Sequence, residues 1–331
     1  MRARIFLVVV VFYAGLNSGT AQKRTVGAIA FYNVENLFDT ENDPDEEDED
    51  FLPNGRNKWD MERYTSKKEN IAKVLSEMAN GADIIGLSEV ENLFVVKELV
   101  AMPALKKHNY QIIHKDSPSW RGIDCALIYK PTRFKVLDFE AIPFPEEGYR
   151  TRDILHVKGL YFGDTLHVFV NHWPSRRGGK ADKRNMAGAE VRRAVDKLLT
   201  ANKEAKIIVM GDLNDDPFNK SVKKELRAAD KLKGIKEGDL YNVSAPTFKQ
   251  GYGTLFYKGT WNLFDQIIVS QGLLSKNAGI SYQKNSFSIF GPNWMRVKEG
   301  QFAGGPKRSF GFGVYLNGYS DHFPTYILIE N

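Results

Sequence analysis

The chain has 331 residues and a single cysteine, Cys125. No intrachain disulfide is therefore possible, and nothing resembles a cysteine/histidine zinc site. Cys125 lies in the apolar run 125–129, where a buried inert thiol is expected rather than a nucleophile. The sequence also lacks a Pro/Gly/Ser-rich linker and any internal repeat, which favours one domain. Long hydrophobic runs are missing too. The N-terminal apolar stretch Ile5 to Ala14 is shorter than the roughly 20 residues that a spanning helix needs. It follows Arg2 and Arg4 and precedes the small residues Gly19-Thr20-Ala21, the pattern of a secretory signal. A leader over 1–21 and a mature chain over 22–331 are expected, secreted or periplasmic, with no stable membrane anchor. No cysteine stands at the cleavage point, so no lipid attachment is expected.

What is present suffices for a large core: 42% of residues are hydrophobic and 26% charged, which excludes a disordered chain. The formal charge of +5 is unevenly spread. Seven acids crowd Asp43 to Asp50, so the remaining surface is more basic than the total suggests. An EF-hand's glycine and terminal glutamate are absent from this segment, which reads as a solvated loop. Arg176, Arg177, Lys180, Lys183 and Arg184 form a basic cluster that suits a polyanionic substrate or, equally, a solvated helix start.

Short apolar runs at Ile29–Tyr32, Ile84–Leu87, 126–129 and Ile207–Met210 read as strands. Leu166, Val168 and Val170 alternate as on one face of another strand. Ile71, Val74, Leu75 and Met78 recur at helical spacing, as do Val191, Ala194, Val195 and Leu198. Strand-helix-strand units mixed with strand-strand runs predict two sheets packed face to face and flanked by helices.

Polar residues of one chemical kind stand at the ends of these runs. Asn33, Ser88-Glu89, Asn171-His172 and Gly211-Asp212-Leu213-Asn214 each close one. Asp265 opens the run 266–269, and Asp321-His322 precedes the last strand. Hard oxygen ligands and imidazoles at strand ends suit metal-assisted hydrolysis of a phosphate ester. Glu89, Asp212 and Asp321 could supply carboxylates to Mg²⁺, Asn33 and Asn214 could hold water or a phosphate oxygen, and His172 and His322 could move protons near neutral pH. Asp265 could fix an imidazole tautomer. Singly, each residue has a structural reading as well: Asn33 as a turn residue, Glu89 as a helix cap, Asp212 and Asn214 as an Asx turn, the histidines as satisfied core groups.

Taken in order, Phe31 to Leu37, Leu87-Ser88-Glu89-Val90, Val170-Asn171-His172, Gly211 to Asn214, Asp265 before Ile267-Ile268, and Ser320-Asp321-His322 resemble the endonuclease/exonuclease/phosphatase superfamily. This is the fold of deoxyribonuclease I, and the likeness, to a secreted member of bacterial type, spans about Val26 to Ile329. It implies a four-layer α/β/β/α sandwich of two mixed sheets and Mg²⁺- or Mn²⁺-dependent phosphoester hydrolysis. By that resemblance Glu89 is the principal metal ligand, with Asn33 and Asp321 near it. Asp212 and Asn214 activate water and orient phosphate, and His322 paired with Asp265 is the acid/base imidazole. His172 matches a second active-site histidine.

Asp124 could orient His172, and Arg121 or Arg152 could donate a fork to a phosphate oxygen, although a structural ion pair suits each as well. Lys307 and Arg308 are further phosphate candidates, and Arg176 and Arg177 candidates for a nucleic-acid backbone. The expected protein is a monomeric endonuclease on nucleic acid. A phosphatase or phosphodiesterase for small or lipid phosphoesters is the alternative. A non-catalytic binding protein on this scaffold predicts loss of at least one of Glu89, Asp212, Asn214, Asp321 or His322, and all are present.

Overall fold

The computed structural model describes residues 26–275 and 279–331; the expected leader lies outside the described residues. The N-terminal half lays down β1 (Val26–Leu37), β2 (Ile84–Val90), β3 (Gln111–His114) and β4 (Asp124–Tyr129). Then follow β5 (Phe134–Ile142), β6 (Ile154–Tyr161), β7 (Asp164–His172) and β8 (Lys206–Asp212). Later strands complete two seven-stranded sheets. Thr325–Glu330 pairs with β1 in the first sheet, and Asp265–Val269 pairs with β8 in the second.

Each sheet is mixed, with one long parallel pair set in largely antiparallel surroundings; the second sheet adds a short parallel pair, Ala228–Ala229 with Leu240–Asn242, at its edge. β1 runs parallel to β2, and β7 parallel to β8. A parallel pair needs a crossover connection, and in both long pairs the crossover carries a long helix. Met61–Glu77 lies between β1 and β2, and Ala181–Ala201 between β7 and β8. Asp60 starts the first of these helices by accepting the Arg63 N–H at 2.9 Å.

Period-2 alternation sorts the side chains into layers. Ile29 and Phe31 of β1 face the opposite sheet, where they join Ile84, Leu127, Val170, Ile208 and Met210 in one core. Ala28, Ala30 and Tyr32 face the other way and pack with Ile71, Val74 and Leu75 of the first helix. Val191 and Val195 of the second helix cover the outer face of the second sheet over Ile207 and Val209. The result is the expected helix–sheet–sheet–helix sandwich of α/β class. Between the sheets Gly86 leaves room for a neighbour: a Cβ there would lie 2.7 Å from Met210 Cε and 3.0 Å from Val170 Cγ1.

Three local expectations change. Asn92, not Glu89, caps the helix Leu93–Val100, accepting the Val95 N–H at 3.1 Å. The first strand runs past Asn33 because Glu35 and Asn36 take left-handed backbone, each at φ 54°, and make an irregularity before Leu37. The acidic loop is docked rather than wholly solvated. Asp48 is buried and accepts the Asp43 N–H at 2.9 Å, and Glu47 N–H donates to the Trp120 carbonyl at 2.9 Å. Among the described residues no helix is long and apolar enough to cross a membrane.

Candidate active site

The β1/β2 and β7/β8 pairs end at the same edge of the sandwich, and the antiparallel strands beside them begin there. Asn33 registers with Ser88, one residue before Glu89. His172 registers with Asp212, which is itself opposite Asp265. Asp321 and His322 come just before the strand that starts at Thr325, opposite Phe31. Strand ends at the carboxyl side of parallel pairs are where open α/β sheets expose groups to ligands. Local geometry sharpens their aim. Glu89 sits at a bulge with φ 62°, a strained left-handed conformation for a glutamate. Gly211 must be glycine, since a Cβ would lie 2.2 Å from the Asn171 carbonyl oxygen.

The side chains converge. Asn33 Nδ2 donates to Asp212 Oδ2 at 3.0 Å and to Glu89 Oε1 at 3.3 Å. Its Oδ1 accepts the Glu35 N–H at 2.9 Å, which fixes the amide orientation. Asp212 Oδ1 accepts the Asn214 N–H at 2.9 Å, and Asn214 Nδ2 donates to the Trp173 carbonyl at 2.9 Å. His172 Nε2 lies 3.7 Å from both Glu89 Oε1 and Asp212 Oδ2. His322 Nδ1 faces Asp265 Oδ2 at 2.7 Å, leaving Nε2 3.8 Å from Asp212 Oδ2 and 3.9 Å from Asp321 Oδ1.

The two imidazoles are driven apart electrostatically. Burial and the nearby cations Arg152 and Arg121 hold His172 well below the usual histidine range, so its ring is neutral. Burial alone would do the same to His322, but the carboxylates of Asp265 and Asp212 outweigh it and hold this ring well above that range. Asp212 is pushed up to about 6, chiefly by burial and against the pull of His322. Asp321 stays below its ordinary value, because the charges of His322 and Arg308 overcome the cost of burial.

Other predicted residues fall in different places. Arg121 reaches the mouth: its Nη2 donates to Asn36 Oδ1 at 2.6 Å and stands 3.5 Å from Glu89 Oε2. Arg152 is half-buried and donates to the Trp173 carbonyl at 2.8 Å; desolvation and Arg121 pull its pKa down to about 10. Arg176 is committed to the protein. It donates to the Asn214 carbonyl, Asp216 and Asn219, and lies over the Phe264 ring at 4.5 Å. Arg184 is buried against Asp215 at 2.9 Å, so the basic cluster is thinner than its sequence suggests. Arg177 remains exposed. Asp124 does not orient His172. It is 3.1 Å from His114 Nε2 and accepts the Ser117 N–H at 2.9 Å, because the 115–123 loop folds back onto it. His172 Nδ1 is buried without a partner.

An ionic chain running from the surface to the interior is not visible in the sequence pattern. Arg308 Nη2 donates to Asp321 Oδ2 at 2.5 Å and its Nε lies 3.7 Å from Glu35. Lys67, reaching in from the helix Met61–Glu77, stands 3.8 Å from Glu35 and donates to Ser309 Oγ at 2.6 Å. Burial and the charge of Asp321 push Glu35 up to about 7. The available signal was Glu35 itself, two residues after Asn33 inside the same motif.

The donor chemistry fits a hard divalent cation. Glu89 and the free Oδ1 of Asp321 are carboxylate oxygens, and the carbonyl oxygen of Asn33 keeps a second lone pair beside the one that accepts the Glu35 N–H. Such an ion supplies Lewis-acid polarisation of a phosphoryl oxygen. Asp212, with His172 neutral beside it, is placed to accept a proton from water. His322 is placed to offer Nε2–H to a phosphate or leaving oxygen while Asp265 steadies the imidazolium.

Known proteins share this architecture. TDP2 of D. rerio, solved with a single-strand DNA product, is 17% identical with a TM-score of 0.57, over 93% of this chain and all 100% of its own. The human nocturnin catalytic domain with bound sulfate is 15% identical with a TM-score of 0.57, over 92% and 97% of the two chains. The mannosyl-6-phosphatase of Bacteroides thetaiotaomicron is 17% identical with a TM-score of 0.56, over 91% and 98%. At these identities the likeness is one of fold. No curated protein matches the chain in sequence. Residues 28–331 match the model of the Endonuclease/Exonuclease/phosphatase family. The chain belongs to that family, whose members hydrolyse phosphoesters with the help of a divalent metal ion.

Proposed function

We propose that this chain is a secreted or periplasmic, Mg²⁺- or Mn²⁺-dependent phosphodiesterase that cuts nucleic acid internally and acts as a monomer. The observation that carries the reading is the pair of imidazoles on one carboxylate oxygen. His172 and His322 stand 3.7 and 3.8 Å from Asp212 Oδ2, the first held well below and the second well above the usual histidine range. That asymmetry suits phosphoester hydrolysis, in which one side must activate water and the other must protonate a departing alkoxide. Arg121 at the mouth and exposed Arg177 supply positive charge for a flanking backbone.

Supercoiled plasmid is the test substrate, with Mg²⁺ and with excess chelator. Metal-dependent nicking that disappears in Asp212→Asn supports the proposal. A folded, metal-binding protein that leaves plasmid intact overturns it.

One feature favours the alternative of lipid or small phosphoesters. The hairpin of Phe310–Gly311 and Val314–Tyr315 follows Arg308 directly, and its tip residue Phe312 is 87% exposed. Val314 and Leu316 are exposed beside it. Hydrolysis of phospholipid vesicles or sugar phosphates without nicking would select that reading.

A further inference from the structure

We propose that His114, Asp116 and Asp124 form a second metal site, separate from the catalytic centre, that takes a borderline transition-metal ion such as Zn²⁺.

His114 ends β3 and Asp124 opens β4. The pairing of His114 with Ala126 sets Asp124 two residues along on the neighbouring strand, so both side chains leave the same face. Both are buried, with 2% and 5% of the side chain exposed. Nε2 of His114 lies 3.1 Å from Asp124 Oδ2, yet the oxygen is off the N–H line and Nε2 has no hydrogen-bond partner. The other oxygen of Asp124 is already taken by the N–H and hydroxyl of Ser117, which leaves Oδ2 as the free one. Two buried donors side by side without a hydrogen bond are spaced as adjacent ligands on bonds of about 2.0–2.2 Å would be.

Asp116 completes the group. Its Oδ1 is 3.7 Å from His114 Nδ1, the ring nitrogen opposite the one that faces Asp124, and its side chain is exposed and free to swing; the three residues can present one ligand atom each within 4.8 Å of one another. Asp153, an electrostatic neighbour of Asp124, adds a buried Oδ1 without a partner. One imidazole nitrogen with carboxylate oxygens suits Zn²⁺, Co²⁺ or Mn²⁺, whereas Ca²⁺ and Mg²⁺ take oxygen ligands.

The place of the site gives it a consequence. Asp124 pairs with Val90, next to Glu89, and the loop between the ligands carries Arg121, whose guanidinium reaches Glu89. An ion here would tie down the 115–123 loop and so fix Arg121 at the catalytic mouth.

Calorimetric titration of metal-stripped mature protein with Zn²⁺ tests the proposal, in a Glu89→Gln/Asp321→Asn/His322→Gln background that disables the catalytic carboxylates and the neighbouring Asp212, Asp265 and His322 cluster. One equivalent should still bind, with an intense visible d–d spectrum when Co²⁺ replaces Zn²⁺. His114→Gln and Asp124→Asn should each weaken it about tenfold or more. The exposed Asp116→Asn, which leaves the buried residues in place, should weaken it in the same direction. Failure of the background protein to bind Zn²⁺, or Zn²⁺ binding untouched by these changes, overturns the site. Equal competition by Ca²⁺ overturns the imidazole's role. The readout needs no phosphoester turnover, so it stands whether or not nucleic acid is the substrate.

Discussion

Asn33 joins the two halves of the site: its Nδ2 donates to Glu89 Oε1 at 3.3 Å in its own sheet and to Asp212 Oδ2 at 3.0 Å in the other. Two carboxylates that would otherwise repel share one neutral donor. Asn33→Ala should lower kcat by about 10²-fold, as loss of a preorganised donor commonly does. Steady-state kinetics on the variant decide this, and a change confined to KM would limit Asn33 to substrate binding.

The opposite ionisation of the histidines can be read in metal-free protein by NMR. At pH 7.5 the His322 ring should remain protonated, and at pH 5.5 the His172 ring should remain neutral. Because the folded value of His322 is raised, its contribution to stability is fully present below about pH 6.5 and is lost as pH rises through the folded value. His172 has the reverse sign. Its folded value is depressed, so the unfolded chain takes up a proton that the fold refuses, and stability falls as pH drops below about 6.5. Two rings titrating together near 6.5 would refute the assignment.

His322→Ala should lower kcat by about 10²- to 10⁴-fold with little change in KM. Near-normal turnover would return His322 to a structural role.

Arg176 and Arg177, adjacent in sequence, should behave differently. Arg177→Ala should flatten the dependence of log affinity for DNA on log salt by about one unit of slope. Arg176→Ala should leave the slope alone and instead lower the melting temperature, since its guanidinium holds Asn214, Asp216 and Asn219.

Lys67 is 1% exposed and paired with Glu35. Lys67→Met should destabilise the fold by about 1–3 kcal/mol, because Glu35 loses one of its two cationic neighbours and Ser309 Oγ loses its donor. Adding Glu35→Gln should restore part of that loss in urea unfolding. An additive double variant would show that the pair is not coupled.

The sequence was most legible where chemistry stood at the end of a pattern. Asn33, Glu89, His172 and Asp212 each close an apolar run, and Asp265 and Asp321-His322 each precede one, so strand periodicity predicted their shared edge. Pairing over long separations was not legible. Lys67 meets Ser309 across 242 positions, and Arg308 meets Asp321 after a hairpin whose packing no local pattern encodes. Asp124 looked free to serve His172 because nothing in the 115–123 loop reveals that it folds back to place His114 and Ser117 against the carboxylate. The acidic loop misled for a related reason. Its charge density predicts solvation, but Asp48 turns inward to cap the backbone at Asp43.

Catalytic alignment in this molecule is also a property of its dry interior. Glu89 stands at the end of β2, His172 and Asp212 at the ends of β7 and β8, and these strands meet midway along their length where Gly86 faces Met210 and Val170. The distance between the two halves of the active site is thus set, several residues away from any reacting atom, by a position that carries only hydrogen. A bulkier residue such as valine at position 86 should press on Met210, Val170 and Phe31 and, where those side chains do not yield, lengthen the reach from Glu89 to Asp212 without altering a single functional group. Every ligand would be retained, and turnover should fall only as far as the sheets, rather than the Met210 side chain, take up the added volume.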